Sequence, residues 1–446
     1  EAAERLADQA RDAGWTHETA DSSDTLREQS ESLLRVKRLG TEVRLWSRSE
    51  AERAPDGRVR SRYAASTAPG ETLRIEASYD ADSLRLIRRE GASIERSALP
   101  GRCLDPFTIQ SRYDSAAADP GRELRFLAYW PELERELAVT LVAAEIDTIS
   151  LSDGSRIAAR RYELHTPGLT GAGTIEWRDS AGTLVKSQEE ALGLVAELST
   201  REQCERAGAP VDLMLRTFIP LGRSFGDATR YGTVRYRLRR PGGSLADLPV
   251  EPPAREIARD AETVTIEVSN AKEAQATDAP TPDCLRPTPL LQSDDPAVLA
   301  AARRESGAGD VLTRATRLCH YVARHIEQKD LAIGFGSAAA TLESGEGDCT
   351  EHAVLLAALC RAIGIPSRLK AGLLAIGTGM GFHLWTEVWD GSAWVGLDAT
   401  FDRVPVDGRY LAIAASDLSN GRVADLAEGI LPWIGQVEIE VLSLGP

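Results

Sequence analysis

Residues 345–368 read GEGDCTEHAVLLAALCRAIGIPSR, and this stretch places one cysteine at the mouth of a helix that has to be buried. Asp348 is a good N-cap residue, and Glu351 stands where the third helical position would fall, the reciprocal arrangement that satisfies the free amide groups of a first turn. Cys349 therefore falls at about the first helical position. Behind it Ala353, Val354, Leu355, Leu356, Ala357, Ala358, Leu359, Cys360 and Ile363 cover most of the circumference, which marks a core helix, and Gly364 with Pro366 ends it. A lone cysteine is often a small buried hydrophobe. Here the partial positive charge of the helix N-terminus favours thiolate over thiol, the microenvironment of a nucleophile.

Downstream, residues 381–402 read GFHLWTEVWDGSAWVGLDATFD, two β-rich runs around the hairpin signal Asp390-Gly391. A turn of only those two residues pairs Trp389 with Ser392 and sets His383 directly opposite Asp398. A loop longer by two pairs Trp389 with Trp394 and leaves His383 and Asp398 diagonal on one face, whereas a shift by one separates them. A cysteine at a helix start, a histidine on one strand and an aspartate on the next supply nucleophile, general base and orienting carboxylate. The plainer alternatives are a core histidine and a turn or capping acid before Thr400.

The motifs GDCTEHA (347–353), RAIGIPSR (361–368), HLWTEVWDGSAW (383–394) and LDATF (397–401) together resemble the transglutaminase-like superfamily. The resemblance implies a papain-like core with a Cys-His-Asp triad, in which Cys349 matches the nucleophile, His383 the base and Asp398 the orienting acid. It covers roughly Asp295 to Pro446, about a third of the chain. Bacterial members with this short core behind leading β domains resemble hydrolases more than dedicated cross-linkers.

Other residues flank these three. His352 lies one turn along from Cys349, as a second base, a metal ligand together with Cys349 and His383, a substrate contact or a packed side chain. Period two places Trp385, Glu387 and Trp389 on the strand face of His383, where the aromatic rings wall an acyl site or fill a core. Glu387 needs a partner on that face, Arg361 or Arg368. Trp385, His352 and Glu387 are the candidate substrate-binding residues. His320, His325, Cys319 and Cys360 read as structural.

At 446 residues the chain exceeds what a single core usually supports. A net charge of −16 disfavours nucleic acid or an anionic membrane as partner, since both need cationic surface. Five of the 52 basic residues are lysine, and the arginines are scattered among acids instead of forming runs. No apolar run approaches the ~18–20 residues of a membrane span. The chain opens at Glu1, which leaves room for a removed signal or anchor and favours an exported or periplasmic location over the cytoplasm. Six cysteines (Cys103, Cys204, Cys284, Cys319, Cys349, Cys360) are too sparse and irregular for a disulfide framework or a CxxC zinc site, though isolated disulfides stay open. Neither a cofactor nor a metal is expected.

The expected fold class is α+β and multidomain. Residues 1–31, charged and with little apolar periodicity, read as a helical leader. Residues 32–278 alternate polar and apolar between turns such as Ala54-Pro55-Asp56-Gly57 and Ser152-Asp153-Gly154, the pattern of one or two antiparallel β-rich domains. Prolines recur through 279–296, a composition suited to a linker, and 297–446 forms the transglutaminase-like catalytic domain. With a protein or peptide as substrate, the expected activity is attack on an amide carbonyl and a thioester, resolved by water (peptidase or amidase) or by an amine (transglutaminase). The alternative is a non-catalytic binding or scaffold protein on the same fold.

Overall fold

The computed structural model describes the chain except for residues 1, 9–13, 23–25, 39–40, 69–70, 81–82, 91–92, 101–102, 132, 167–172, 190–193, 201–210, 213–217, 227–229, 242–244, 246–249, 270–278, 328–335, 420–425, 427–428, 431–432, 434–436 and 446. The chain divides into two compact units, Glu1–Leu213 and Met214–Pro446. Among the described residues no helix is long and apolar enough to cross a membrane.

The first unit is one antiparallel-dominated sheet built from two meanders. Strands run from Ala2–Asp8 through Gly14–Ser22, Leu26–Arg38, Thr41–Arg53, Val59–Ala68, Glu71–Tyr79 and Ser83–Glu90 to Ser93–Pro100, each paired with the next. A second series, from Leu124–Trp130 to Leu194–Ser199, returns to pair its last strand with Ala2–Asp8. The helical leader expected over 1–31 is therefore corrected: Ala2–Asp8, Gly14–Ser22 and the start of Leu26–Arg38 are strands. Ala2–Asp8 gains a partner on each side, one from far along the chain, and such ladders override local helix preference. Tight turns between strands use glycine in left-handed conformation, as at Gly57 (φ 82°) and Gly154 (φ 86°). The sheet curls, because Tyr129 of the second series packs with Tyr63, Ile75 and Leu84 of the first, and Arg88 Nε lies 2.7 Å from Glu134 Oε2. Helix α1 (Pro106–Ala118), capped by Asp105, sets Tyr113 and Ala116 against Leu141, Ala143 and Tyr162.

Among its described residues the second unit has four further α-helices, α2 (Pro296–Ser306), α3 (Val311–His325), α4 (Ala338–Ser344) and α5 (Cys349–Ala362). Each starts on a side-chain cap: Asp295, Asp310, Ser337 and Asp348. They pack on a sheet of Ile219–Phe225, Ser367–Trp389, Trp394–Leu397 and Tyr410–Ser416. Val354, Leu355 and Leu359 of α5 meet Leu369, Leu384 and Val388 in the helical core. The same sheet uses Leu373, Met380, Leu411 and Ile413 to cover Val234, Tyr236, Ile266 and Val268 of a second sheet, ordered Ala254–Arg259, Thr263–Ser269, Thr233–Arg239, Glu438–Gly445.

The boundary expected at 279–296 is corrected as well. The strands from 219 to 269 pair with or pack on those of the second unit, and the proline-rich stretch is part of its fabric. Leu290 and Leu291 are buried in the helical core, Ala338 donates its N–H to the Leu290 carbonyl at 2.9 Å, and Arg361 donates to the Arg286 carbonyl at 2.6 Å.

Candidate active site

Cys349 is the first residue of α5 and half-buried. Asp348 Oδ1 accepts the Thr350 N–H at 2.7 Å, and Glu351 reaches back so that its Oε2 accepts the Asp348 N–H at 2.8 Å. Its other oxygen accepts the Gly336 N–H at 2.7 Å, which ties a second segment to the start of the helix. Burial and the neighbouring Asp348 push the Glu351 carboxyl up to about 8. Gly347 has φ +154°, and a Cβ there would stand 2.3 Å from Glu351 Cβ, so the approach to Cys349 needs glycine.

The strand Ser367–Trp389 carries His383, the candidate base. Its 23 residues would extend about 76 Å at ~3.3 Å each, yet the Trp389 N–H bonds the Pro366 carbonyl at 3.0 Å. The run doubles back around exposed Gly377 (φ 54°) and delivers His383 beside α5. Trp389 then pairs with Trp394 and Thr386 with Leu397, the longer of the two registers expected. Asp390 closes the turn, its Oδ1 accepting the N–H groups of Ser392 and Ala393 at 2.8 Å each. His383 and Asp398 thus sit diagonally on one face, with Nε2 2.8 Å from Oδ2.

Asp398 is fully buried and saturated. Its Oδ2 also accepts the Tyr410 hydroxyl at 2.8 Å, and its Oδ1 accepts the Thr400 N–H at 2.8 Å. Backbone bonds between Asp398 and Arg403, 2.9 and 2.8 Å, fix the loop that bears it. Burial pulls the His383 imidazole down, but Asp398 and then the Cys349 sulfur outweigh it and raise the ring to about 10. Burial likewise pushes the Asp398 carboxyl up, and His383, Tyr410 and Thr400 hold it below its usual range. Since Nε2 is committed to Asp398, Nδ1 is the ring atom left for Cys349.

The three candidate substrate-binding residues take other places. His352 is buried, with Nδ1 2.6 Å from the Asp348 carbonyl one turn back, so it braces the helix start. Trp385 is 1% exposed and lies behind His383, ring centroids 6.2 Å apart, with its other contacts in the core. Glu387 is buried against Arg368 (2.8 Å) and Lys370 (3.5 Å), so the partner is Arg368 rather than Arg361. Burial leaves none of the three a surface to offer. His320 pairs with Asp402, and His325 Nε2 with the Leu342 carbonyl. Cys103, Cys284, Cys319, Cys349 and Cys360 are free thiols; Cys204 lies outside the described residues.

Sequence reasoning missed two residues. Tyr410 arrives from the neighbouring strand with no motif to flag it, and only tertiary folding brings it to Asp398. Phe401, 42% exposed, sets its ring 5.5 Å from His383 and follows directly on the LDAT stretch, a position where a period-two reading had no strand to follow.

Residues 300–399 match the family described as the transglutaminase-like superfamily. Comparison with curated proteins gives no match. Among solved structures, the chain is similar to a candidate cysteine protease from Cytophaga hutchinsonii at 18% identity, covering 48% of this chain and 84% of that one with a TM-score of 0.30. It is similar to a β-barrel-like protein with a domain of unknown function from Brucella abortus at 10% identity, covering 45% and 94%, TM-score 0.36. A third likeness is to a candidate protease from Parabacteroides distasonis at 14% identity, covering 77% and 64%, TM-score 0.21. Helix α5 and the hairpin of His383 and Asp398 fall within the matched span, and residues 300–399 are a domain of the transglutaminase-like superfamily.

Proposed function

We propose that the protein is a thiol acyl-enzyme in which Cys349 is the nucleophile, His383 the general acid and base, and Asp398 the group that orients and charges the imidazole. The observation that carries this reading is the buried 2.8 Å His383–Asp398 pair set beside a helix-initial, half-buried Cys349. The sulfur adds to an amide or peptide carbonyl carbon, and the carbonyl electrons move onto oxygen. As the first residue of α5, Cys349 has a backbone N–H that an α-helix leaves without an intrahelical partner, and this N–H is the donor assigned to that oxyanion. As the C–N bond breaks, the imidazolium gives its proton to the leaving nitrogen, and a thioester remains on Cys349. His383, now neutral, takes a proton from the incoming water or amine, which attacks the thioester and restores the thiolate. Water makes the enzyme a peptidase or amidase; an amine makes it a transglutaminase.

The test is a mass-spectrometric search for an acyl adduct on Cys349 after the full chain meets peptide mixtures and cell-wall fractions. An adduct present in the wild type and absent in Cys349→Ala supports the reading. No adduct, together with iodoacetamide labelling at pH 6 that is no faster than an ordinary thiol and indifferent to His383→Ala, returns the fold to a scaffold role.

A further inference from the structure

Two donors meet on one oxygen of Asp398. His383 Nε2 and the Tyr410 hydroxyl each stand 2.8 Å from Oδ2, while the Thr400 N–H holds Oδ1 at the same distance. Tyr410 is itself fixed. It is 1% exposed, its ring meets Trp385 edge-on at 5.4 Å and His383 at 6.0 Å, and it sits in a small core with Leu374, Val406 and Ala412. A tyrosine buried among apolar groups needs its O–H satisfied, and satisfying it on this oxygen has a chemical result.

We infer that Tyr410 is a positioning residue for the reaction, one that shares Asp398 Oδ2 with His383 and so limits how tightly the carboxylate holds the imidazolium proton. The inference rests on the triad reading above. A carboxylate oxygen that accepts a second hydrogen bond has less charge to offer the first donor. An imidazolium held too firmly is a poor acid, since a catalytic proton is best delivered by a group that titrates near the working pH. Burial pulls the His383 proton off and the Asp398 charge holds it on, and the Tyr410 hydroxyl, by sharing Oδ2, weakens that hold. Thr400 pins Oδ1, so removing the tyrosine hydroxyl changes the charge that His383 feels without releasing the carboxylate to rotate.

The other charged and titratable groups here are few. His383 faces Asp398, Cys349 and Tyr410. Around Tyr410 stand Arg403 and Asp407, which lie 3.6 Å from each other, with Asp407 also bound to Arg409. From α3 the buried Cys319 thiol senses Asp398 and Asp402, and burial pushes it upward, so it stays neutral. The Tyr410 hydroxyl is the group that joins His383 on Oδ2.

The experiment is an NMR titration of His383 in the full chain with ring-labelled histidine, its resonance assigned by its loss in His383→Gln, paired with iodoacetamide labelling of Cys349. Tyr410→Phe keeps the ring and its packing, and the His383 midpoint should move up by about half a pH unit or more, the size expected for one lost hydrogen bond. 3-Fluorotyrosine at 410, a stronger donor of the same shape, should move it down. A merely structural Tyr410 would lower the melting temperature and leave the midpoint in place. If wild-type Cys349 labels rapidly at pH 6 yet Tyr410→Phe leaves the midpoint unmoved or lowers it, the inference is overturned and the triad stands. If wild-type Cys349 labels no faster than a free thiol, the triad reading falls and takes this inference with it.

Discussion

Trp389 stands directly across from Trp394, their rings edge to face at 5.7 Å, and this pairing leaves His383 and Asp398 on the diagonal of one strand face. Glycine and aspartate at 390–391 seemed to ask for a two-residue turn, but Asp390 instead closes a wider one with its own carboxylate. The diagonal is enough: at 2.8 Å it places a negative charge on the far side of the imidazole from the thiol.

Asp398→Asn should therefore pull the alkaline limb of activity downward. His383 is raised to about 10, above its usual 6.5, so the protonated ring that the leaving amine needs persists well past neutrality and is lost as pH climbs through that range. Because Cys349 and His383 titrate together, the limb belongs to the pair. Removing the carboxylate charge removes the largest influence that raises the ring. A pH profile of thioester formation in wild type and variant checks this; an alkaline limb that stays in place, or moves up, sinks it.

Cys349→Ala should abolish adduct formation while the melting temperature stays within about 2 °C, since a half-buried sulfur at a helix start contributes little packing. Calorimetry beside mass spectrometry measures both. A large drop in melting temperature would mark the cysteine as structural.

Glu351→Gln should change the pH dependence of stability. The carboxyl titrates near 8 in the folded protein against a usual 4.5, so the fold binds this proton more tightly than the unfolded chain. That contribution is full below about 4.5 and is lost as pH rises through about 8. Wild-type stability relative to the variant, from urea titrations at pH 5 and pH 8.5, should fall by a few kcal/mol over the interval. A difference independent of pH would show that Glu351 is ionised throughout.

Glu387→Ala should cost about 3 kcal/mol or more in unfolding free energy. Lys370 is 0% exposed, and buried Glu387 and the more exposed Glu251 each lie 3.5 Å from its Nζ. Urea denaturation reads the loss, and iodoacetamide labelling of Cys349 at pH 6 should be unchanged in whatever remains folded. A stable variant with weakened substrate binding would instead put Glu387 in the site.

Much of the site was legible because its signals are local. Asp348 and Glu351 announce a helix start within one turn, and the strand face of His383 follows from period two. The two ends of the hairpin left a choice of register, and either choice kept His383 and Asp398 together. What was not legible depends on distant partners. The stretch AAERLAD suits a helix by itself and becomes a strand because Leu194–Ser199 completes its ladder. The prolines at 287 and 289 suggested a free linker, whereas the burial of Leu290 and Leu291 and the hydrogen bonds to the Arg286 and Leu290 carbonyls tie the segment into the helical core. Tyr410 could not be read at all, since its role lies in where another strand leaves Asp398.

The second sheet of the C-terminal unit sets an order of events during synthesis. An internal strand, Thr233–Arg239, is bonded on one side to Thr263–Ser269, made soon after it, and on the other to Glu438–Gly445, made long after it. Until that strand is made, Cys349 and His383 are already in the chain, but the sheet beneath their own stays open along one edge. The sheet against which the Cys349 and His383 layer packs therefore closes only when a strand made after both residues joins it, so the layer that carries the candidate site is laid down before its support is complete.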